Sequence, residues 1–200
     1  MIESRSWLDD HTREELVALT LDRVKQFLDT HSYHELSLRK VATMIGYVPS
    51  TLVNVFGNYN LLLLHVVAQT LDELAQEAQQ AVKSTTYPKD ALYQLAYCYH
   101  DFAKRNPYRW QLIFEHNMNG EMLPEWQAQR INNMTSMLED LLKVIAPLRS
   151  EQEVLQASRV LWSGVHGITI LSVDDKFFAN EPIDGNALIN NLLNHYLANW

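Results

Sequence analysis

The sequence predicts an all-α protein, with an N-terminal three-helix helix-turn-helix domain (residues 1–58) followed by a helical bundle (residues 59–200), about nine helices in all. Three observations predict this class. Apolar residues recur at spacings of three and four through most of the chain, no stretch alternates in the manner of a strand, and only six glycines and six prolines interrupt 200 residues. No internal repeat or low-complexity segment is present.

The elements follow in order. Thr12-Arg13-Glu14-Glu15 is a capping-box pattern, since the Thr12 hydroxyl and the Glu15 carboxylate can satisfy each other's orphan amides. Leu16, Thr20, Val24, Phe27 and His31 then repeat at helical spacing, so helix 1 ends near Thr30. Ser37 caps helix 2, which buries Val41 and Ile45 and stops at Gly46, where a positive φ is expected. Pro49 suits the first turn of helix 3, where a missing amide costs nothing. Leu52, Val53 and Phe56 form that helix's apolar side; Gly57 ends it and Asn58 caps the next. Helix 4 covers Tyr59 to Lys83, helix 5 Lys89 to Arg105, and helix 6 starts at Asn106-Pro107 and carries "YRWQLIFEH". Helix 7 spans Glu125 to Ile145, helix 8 Ser150 to Val173, then a loop "DDKFFANEPIDG", and helix 9 Asn186 to Asn199.

Composition excludes several functions. Net charge is −8, with six Lys/Arg against eight Asp/Glu in residues 1–60 and ten against sixteen in residues 61–200. Bulk charge therefore repels nucleic acid, and any DNA contact must rest on local placement. One cysteine, Cys98, forms no internal disulfide and reads as a small buried side chain. Val41 to Leu71 carries no Asp, Glu, Lys or Arg, but Gly46, Pro49, Asn54, Gly57, Asn58 and Asn60 interrupt it, so it is not a membrane span. The start of the chain has no signal-peptide pattern, and a soluble cytoplasmic protein without membrane association is expected. No His-Glu-x-x-His run, cysteine pair, glycine-rich phosphate loop or nucleophile elbow is present. No enzyme activity, cofactor or metal is expected.

"SLRKVATMIGYVPSTLVNVF" (Ser37–Phe56) is the segment with chemistry to explain. Two short helices around a glycine-containing turn form a helix-turn-helix, whose second helix lies in the major groove. The inner side must be apolar to fix the interhelical angle, and Val41, Ile45, Leu52 and Phe56 meet that need. The outer side must be short and polar: Ser50, Thr51 and Asn54 suit base edges, and Arg39 and Lys40 suit phosphates. A purely structural helical hairpin is the competing reading of the same pattern.

From Thr12 to Val67 the chain resembles the N-terminal domain of the TetR family of transcriptional regulators, through the Gly46 turn, Thr51-Leu52, Phe56 and the Leu-rich start of helix 4. "LWSGVHGI" (Leu161–Ile168) and "NPYRWQLIFEH" resemble a C-terminal ligand-binding domain of a TetR subfamily marked by Trp…His-Gly. The resemblance implies an all-helical homodimer that binds a palindromic double-stranded DNA operator and releases it when a small-molecule effector enters the C-terminal domain. DNA-binding positions are then Ser37, Arg39, Lys40, Val48, Pro49, Ser50, Thr51, Asn54 and Tyr59. The sequence departs from the family pattern in three places. Val53 and Val55 stand where an aromatic pair with Tyr is usual, Val48 stands at a usual Ser cap, and Tyr59 replaces a usual Lys. Those departures remove phosphate contacts, although the Tyr59 hydroxyl could still donate one. With Arg39, Lys40 and an N-terminal Arg5 as the cations, a shallow salt dependence or weak binding follows. The alternative is an all-helical dimeric interaction protein that has lost tight DNA binding.

Residues 93–170 are dense in aromatics and methionines, as ordinary cores and ligand pockets both are. Tyr97, His100, Phe102, Trp110, Phe114, Met134, Met137, Trp162 and His166 are the candidates for an apolar or aromatic effector, with Tyr97, His100, His116 and His166 able to hold a polar end. Helices 8 and 9 are apolar on more than one side. Val154, Leu161, Val165 and Ile168 line one side of helix 8; Leu155, Trp162, His166 and Ile170 line another. The first of these, with Leu188, Leu192, Leu193 and Tyr196 of helix 9, is the expected homodimer interface, against the alternative of a buried C-terminal core.

Overall fold

The computed structural model describes residues 11–174 and 184–200, and of Asp174 the backbone alone. Every regular element among them is helical: α1 (Arg13–Leu28), a 3-10 turn (Tyr33–Glu35), α2 (Leu38–Ile45), α3 (Pro49–Phe56), α4 (Tyr59–Lys83), α5 (Pro88–Arg105), α6 (Pro107–Glu115), α7 (Glu125–Ile145), α8 (Glu151–Asp174) and α9 (Gly185–Leu197). Most of the loop expected after helix 8 lies outside the described residues, as does Arg5.

Helix ends follow local chemistry. The capping box at Thr12 is formed in both directions, with the Glu15 amide donating to Thr12 Oγ1 at 3.2 Å and the Thr12 amide to Glu15 Oε2 at 2.7 Å. Ser37 Oγ accepts the Lys40 amide at 3.2 Å. Gly46 closes α2 in the left-handed region at φ 77°, which lets the Tyr47 amide reach back to the Ala42 carbonyl at 2.9 Å. Pro49 opens α3, and Asn58 Oδ1 accepts the Leu61 amide at 2.8 Å to start α4.

The described chain divides into two compact units. The first holds the residues up to Thr70 together with Tyr108–Leu123. In it α1 packs on α2 and α2 on α3. The core is built from Leu16, Val24, Leu28, Val41, Leu52 and Phe56, all buried. Arg109 of α6 is buried with its Nε 3.7 Å from Asp29 Oδ1, and His34 Nε2 lies 3.2 Å from Glu115 Oε2. The second unit comprises Leu71–Pro107 and Pro124–Trp200, in which α5, α7, α8 and α9 pack around one another.

This division differs from the one expected at residues 58/59. The break falls inside α4, and most of α6 belongs with the helix-turn-helix rather than with the bundle. Helix periodicity shows that α6 exists but not which core accepts its apolar side.

The charge-free stretch is explained by burial. Leu62, Leu63, Leu64, Val66 and Val67 are all buried, and α3 and α4 meet at 64°. No helix among the described residues is long and apolar enough to cross a membrane.

Candidate nucleic-acid interface and ligand cavity

The α2–α3 pair has the geometry a groove-reading helix requires. Leu52 and Phe56 are buried at i and i+4 and fix one side of α3 against the first unit's core. Ser50, Val53 and Asn54 are exposed and share the opposite side. Val48 is exposed as well, while Pro49, Thr51 and Val55 are half-buried. Arg39 is exposed on α2. Ser37 is exposed, with its hydroxyl engaged as the α2 cap.

Two positions expected to meet phosphate are placed otherwise. The Lys40 ammonium sits over the Phe27 ring, 4.3 Å from its centroid, so reaching a phosphate means leaving that cation–π contact. The Tyr59 hydroxyl is buried and has no hydrogen-bond partner among the described residues. Burial, reinforced by Tyr33, pushes its pKa up to about 12. It lines a cleft of about 320 Å³ with Tyr33, His34, Asn60, Glu115 and His116, in which His116 Nε2 donates to the Asn60 carbonyl at 3.0 Å. Tyr59 therefore faces inward and does not offer its hydroxyl to DNA; the aromatic ring, absent from a lysine, favours the interior.

The second unit encloses an apolar cavity. Leu74 and Ala78 of α4, Leu92, Leu95, Ala96 and Tyr99 of α5, Met134 and Leu138 of α7, Leu161, Trp162 and Val165 of α8, and Leu193 of α9 form its wall. The space open to the centres of water-sized atoms is about 40 Å³, so a ligand of more than a few heavy atoms must push wall side chains aside. The wall contains no ionisable side chain other than Tyr99. Tyr99 packs against Trp162 with ring centroids 4.9 Å apart and planes tilted by 56°, and its hydroxyl is 2.6 Å from His166 Nδ1. Burial lowers the His166 pKa, which favours the neutral ring in that pair.

Of the nine expected effector residues, only Met134 and Trp162 reach the wall, with His166 one hydrogen bond behind it. Trp110 and Phe114 lie on α6 in the first unit, their tilted rings in contact with centroids 5.1 Å apart. Phe102 is buried away from the cavity, Met137 is half-buried outside it, and the Tyr97 hydroxyl donates to Asn190 Oδ1 of α9. His100 is wholly buried, with Nδ1 3.3 Å from Thr169 Oγ1, and Gly185 is shaped to it: a Cβ there would lie 2.4 Å from His100 Nε2. Burial, with Lys104 adding to it, lowers the pKa of His100. Leu74, Ala78, Leu92, Leu95, Ala96, Tyr99 and Leu138 of the wall lie outside both expected sets. Tyr99, visible in the sequence only as one of the many aromatics of residues 93–170, sits one helical turn from Ala96 on the same side of α5.

The expected dimer set divides by burial within the single chain. Val154, Leu161, Val165 and Leu193 are buried within the single chain, and the last three line the cavity. Ile168, Leu188, Leu192 and Tyr196 are half-buried. Leu192 meets Gly164, whose missing Cβ would lie 2.6 Å from Leu192 Cδ2, so α8 and α9 approach closely. The apolar residues that α8 leaves exposed are Leu155, Val160 and Ile170. Leu155 and Ile170 belong to the other side of helix 8, not the side expected to form the interface. Two apolar stripes are visible in the sequence; which one the fold consumes depends on α5, α7 and α9.

These features define an all-helical protein that carries a helix-turn-helix and an apolar-cavity bundle on one chain. Residues 92–196 match the family model described as the tetracyclin repressor-like C-terminal domain. The match covers more than half of the chain, which belongs to the TetR family of transcriptional regulators. Among solved structures of similar fold is a protein with unknown function from Rhodococcus sp. RHA1, with TM-score 0.78 and 15% identity, covering 96% of this chain and 98% of that one. A second is the transcriptional regulator FadR from Bacillus subtilis in complex with stearoyl-CoA, with TM-score 0.66 and 13% identity, covering 92% and 98%. A third is AibR in complex with isovaleryl coenzyme A and operator DNA, with TM-score 0.62 and 12% identity, covering 92% and 97%. No curated protein sequence matches the chain.

Proposed function

We propose that the protein is a ligand-responsive repressor that binds a palindromic operator as a homodimer through α2 and α3, and that a small apolar or aromatic effector in the second unit's cavity releases it. The observation that carries the DNA-binding part is the split character of α3. Leu52 and Phe56 hold one side in the core, and Ser50, Val53 and Asn54 stand exposed on the other with no charge among them. Asn54 would pair with adenine, and Arg39 would hold a phosphate. The apolar wall supports an uncharged effector body, with the Tyr99–His166 pair at its polar end. Two fold relatives carry acyl-coenzyme A. The wall here would suit an acyl chain and has no cation for phosphates. The Trp162…His166-Gly167 spacing supports the Trp…His-Gly subfamily within this reading. The exposed stripe with Leu155 and Ile170 is the proposed two-fold contact.

A mobility-shift assay with the DNA flanking the protein's own coding region tests the reading, with Arg39→Ala and Asn54→Ala as controls. A specific shift lost in both variants supports it. An intact dimer that shifts no flanking duplex favours the second reading, an interaction protein without tight DNA binding, which the absence of cations on α3 supports.

A further inference from the structure

Two apolar side chains stand exposed at the start and on the outward side of α3. Val48 is 61% exposed and Val53 is 40% exposed. A single exposed valine needs no explanation. These two bracket Ser50 on an eight-residue helix, and Val48 holds the N-cap position in extended geometry with no side-chain hydrogen bond. Ser, Thr, Asn or Asp there would satisfy an orphan amide, so an apolar cap forgoes a stabilising contact. Val53 shares the outward side with Ser50 and Asn54. No residue from Pro49 to Phe56 is ionised.

A groove-reading helix with exposed methyl groups and no charge suits a particular base edge. In the major groove the C5-methyl of thymine is the one apolar group on offer, and it is met by aliphatic side chains. We infer that Val48 and Val53 are specificity determinants that contact thymine methyls, so that each operator half-site carries thymines near the adenine read by Asn54. Five residues of helix advance about 7.5 Å, roughly two base-pair steps of about 3.4 Å, so the two valines address different base pairs. The N-terminal end of a recognition helix is the part that meets base edges, which puts Val48 in reach. This inference rests on the DNA-binding reading above and names what that surface recognises.

The experiment selects duplexes from a random synthetic pool with the full-length protein, then rebuilds the enriched site with deoxyuridine for thymidine at one position at a time. Uracil pairs as thymine does but lacks the methyl. Removing one such methyl should weaken binding about fourfold, or about fifteenfold when both half-sites of the dimer are changed together. In Val53→Ala protein the uracil effect should vanish at one position and persist at the other; Val48→Ala should show the reverse. Val48 is exposed and Val53 partly so, and both variants should keep the parent fold by circular dichroism; the uracil series on the unchanged protein stands without them. An enriched site at which uracil is neutral throughout overturns the thymine inference alone. A uracil effect that survives unchanged in both variants does the same. A pool from which no duplex is enriched overturns the DNA-binding reading and this inference with it.

Discussion

Operator binding should depend weakly on salt, and the slope can be worked from the cations near α3. Between Ser37 and Tyr59 the chain has two, Arg39 and Lys40. Arg13, next to the far end of α3, donates to the Val55 carbonyl at 3.1 Å and is left out of the count. If Lys40 leaves the Phe27 ring on binding, a dimer neutralises about four phosphates and the slope of log K against log salt is about −3.6; with Lys40 held on the ring, Arg39 alone gives about two and a slope of about −1.8. If Arg5 joins from each subunit the count is about six and the slope about −5.4. Raising salt from 50 to 200 mM then weakens binding about 150-fold in the first case. Fluorescence anisotropy with a labelled duplex across that range reads the slope directly. Arg39→Ala should flatten it by about 1.8, one phosphate per subunit. A slope of about −8 or steeper would show that other cations face the DNA and would refute the placement argued for α3.

Four further outcomes follow from the packing. Gly185→Ala places a Cβ 2.4 Å from the buried His100 ring and 2.8 Å from Ser172 Oγ, so calorimetry should show a loss of about 1–3 kcal/mol. Gly167→Ala, with nothing within 4 Å of its Cβ and a helical backbone, should gain about 0.5–1 kcal/mol in the same assay. His100, His116 and His166 are all held below the ordinary histidine pKa of 6.5, by burial first in each case. The unfolded chain takes up those protons before the folded one does. The stability tied to the neutral rings is thus present above pH 6.5 and lost as pH falls below it toward the lowered folded values. Thermal melts from about pH 7.5 to 5 should show the midpoint falling through that window; a flat profile would contradict it. Glu153, lowered to about 2 by its bonds to Ser150 and Arg149, acts only in a more acid range. Finally, Leu155→Asp with Ile170→Asp should convert a dimer to a 23.2 kDa monomer by light scattering without altering the monomer's helical signal.

Much of the fold is legible in the sequence because helix ends are local. The Thr12/Glu15 box, the Ser37 cap, the left-handed Gly46 and the Pro49 start depend on neighbours within four residues, and the structure has each where expected. What is not legible depends on partners distant in sequence. The apolar side of α6 fits either core by pattern, and its place with the helix-turn-helix is a tertiary fact. Leu161, Val165 and Leu193 read equally well as interface or wall until α5 and α7 are laid against them. Tyr59 occupies a position that reads as phosphate-facing, but its hydroxyl is buried beside Tyr33 and His116. Tyr99 is one of many aromatics in residues 93–170 and carries no pattern that singles it out; only the fold turns it toward Trp162.

The most direct measurement of the central claim, that an uncharged α3 enters the major groove, is a dimethyl sulfate footprint on an enriched duplex. Methylation at guanine N7 reports the major groove. The account predicts two blocks of N7 protection, centred about 10 base pairs apart or a multiple of that, and both lost with Asn54→Ala. Tight binding with N7 fully reactive throughout the site would contradict it.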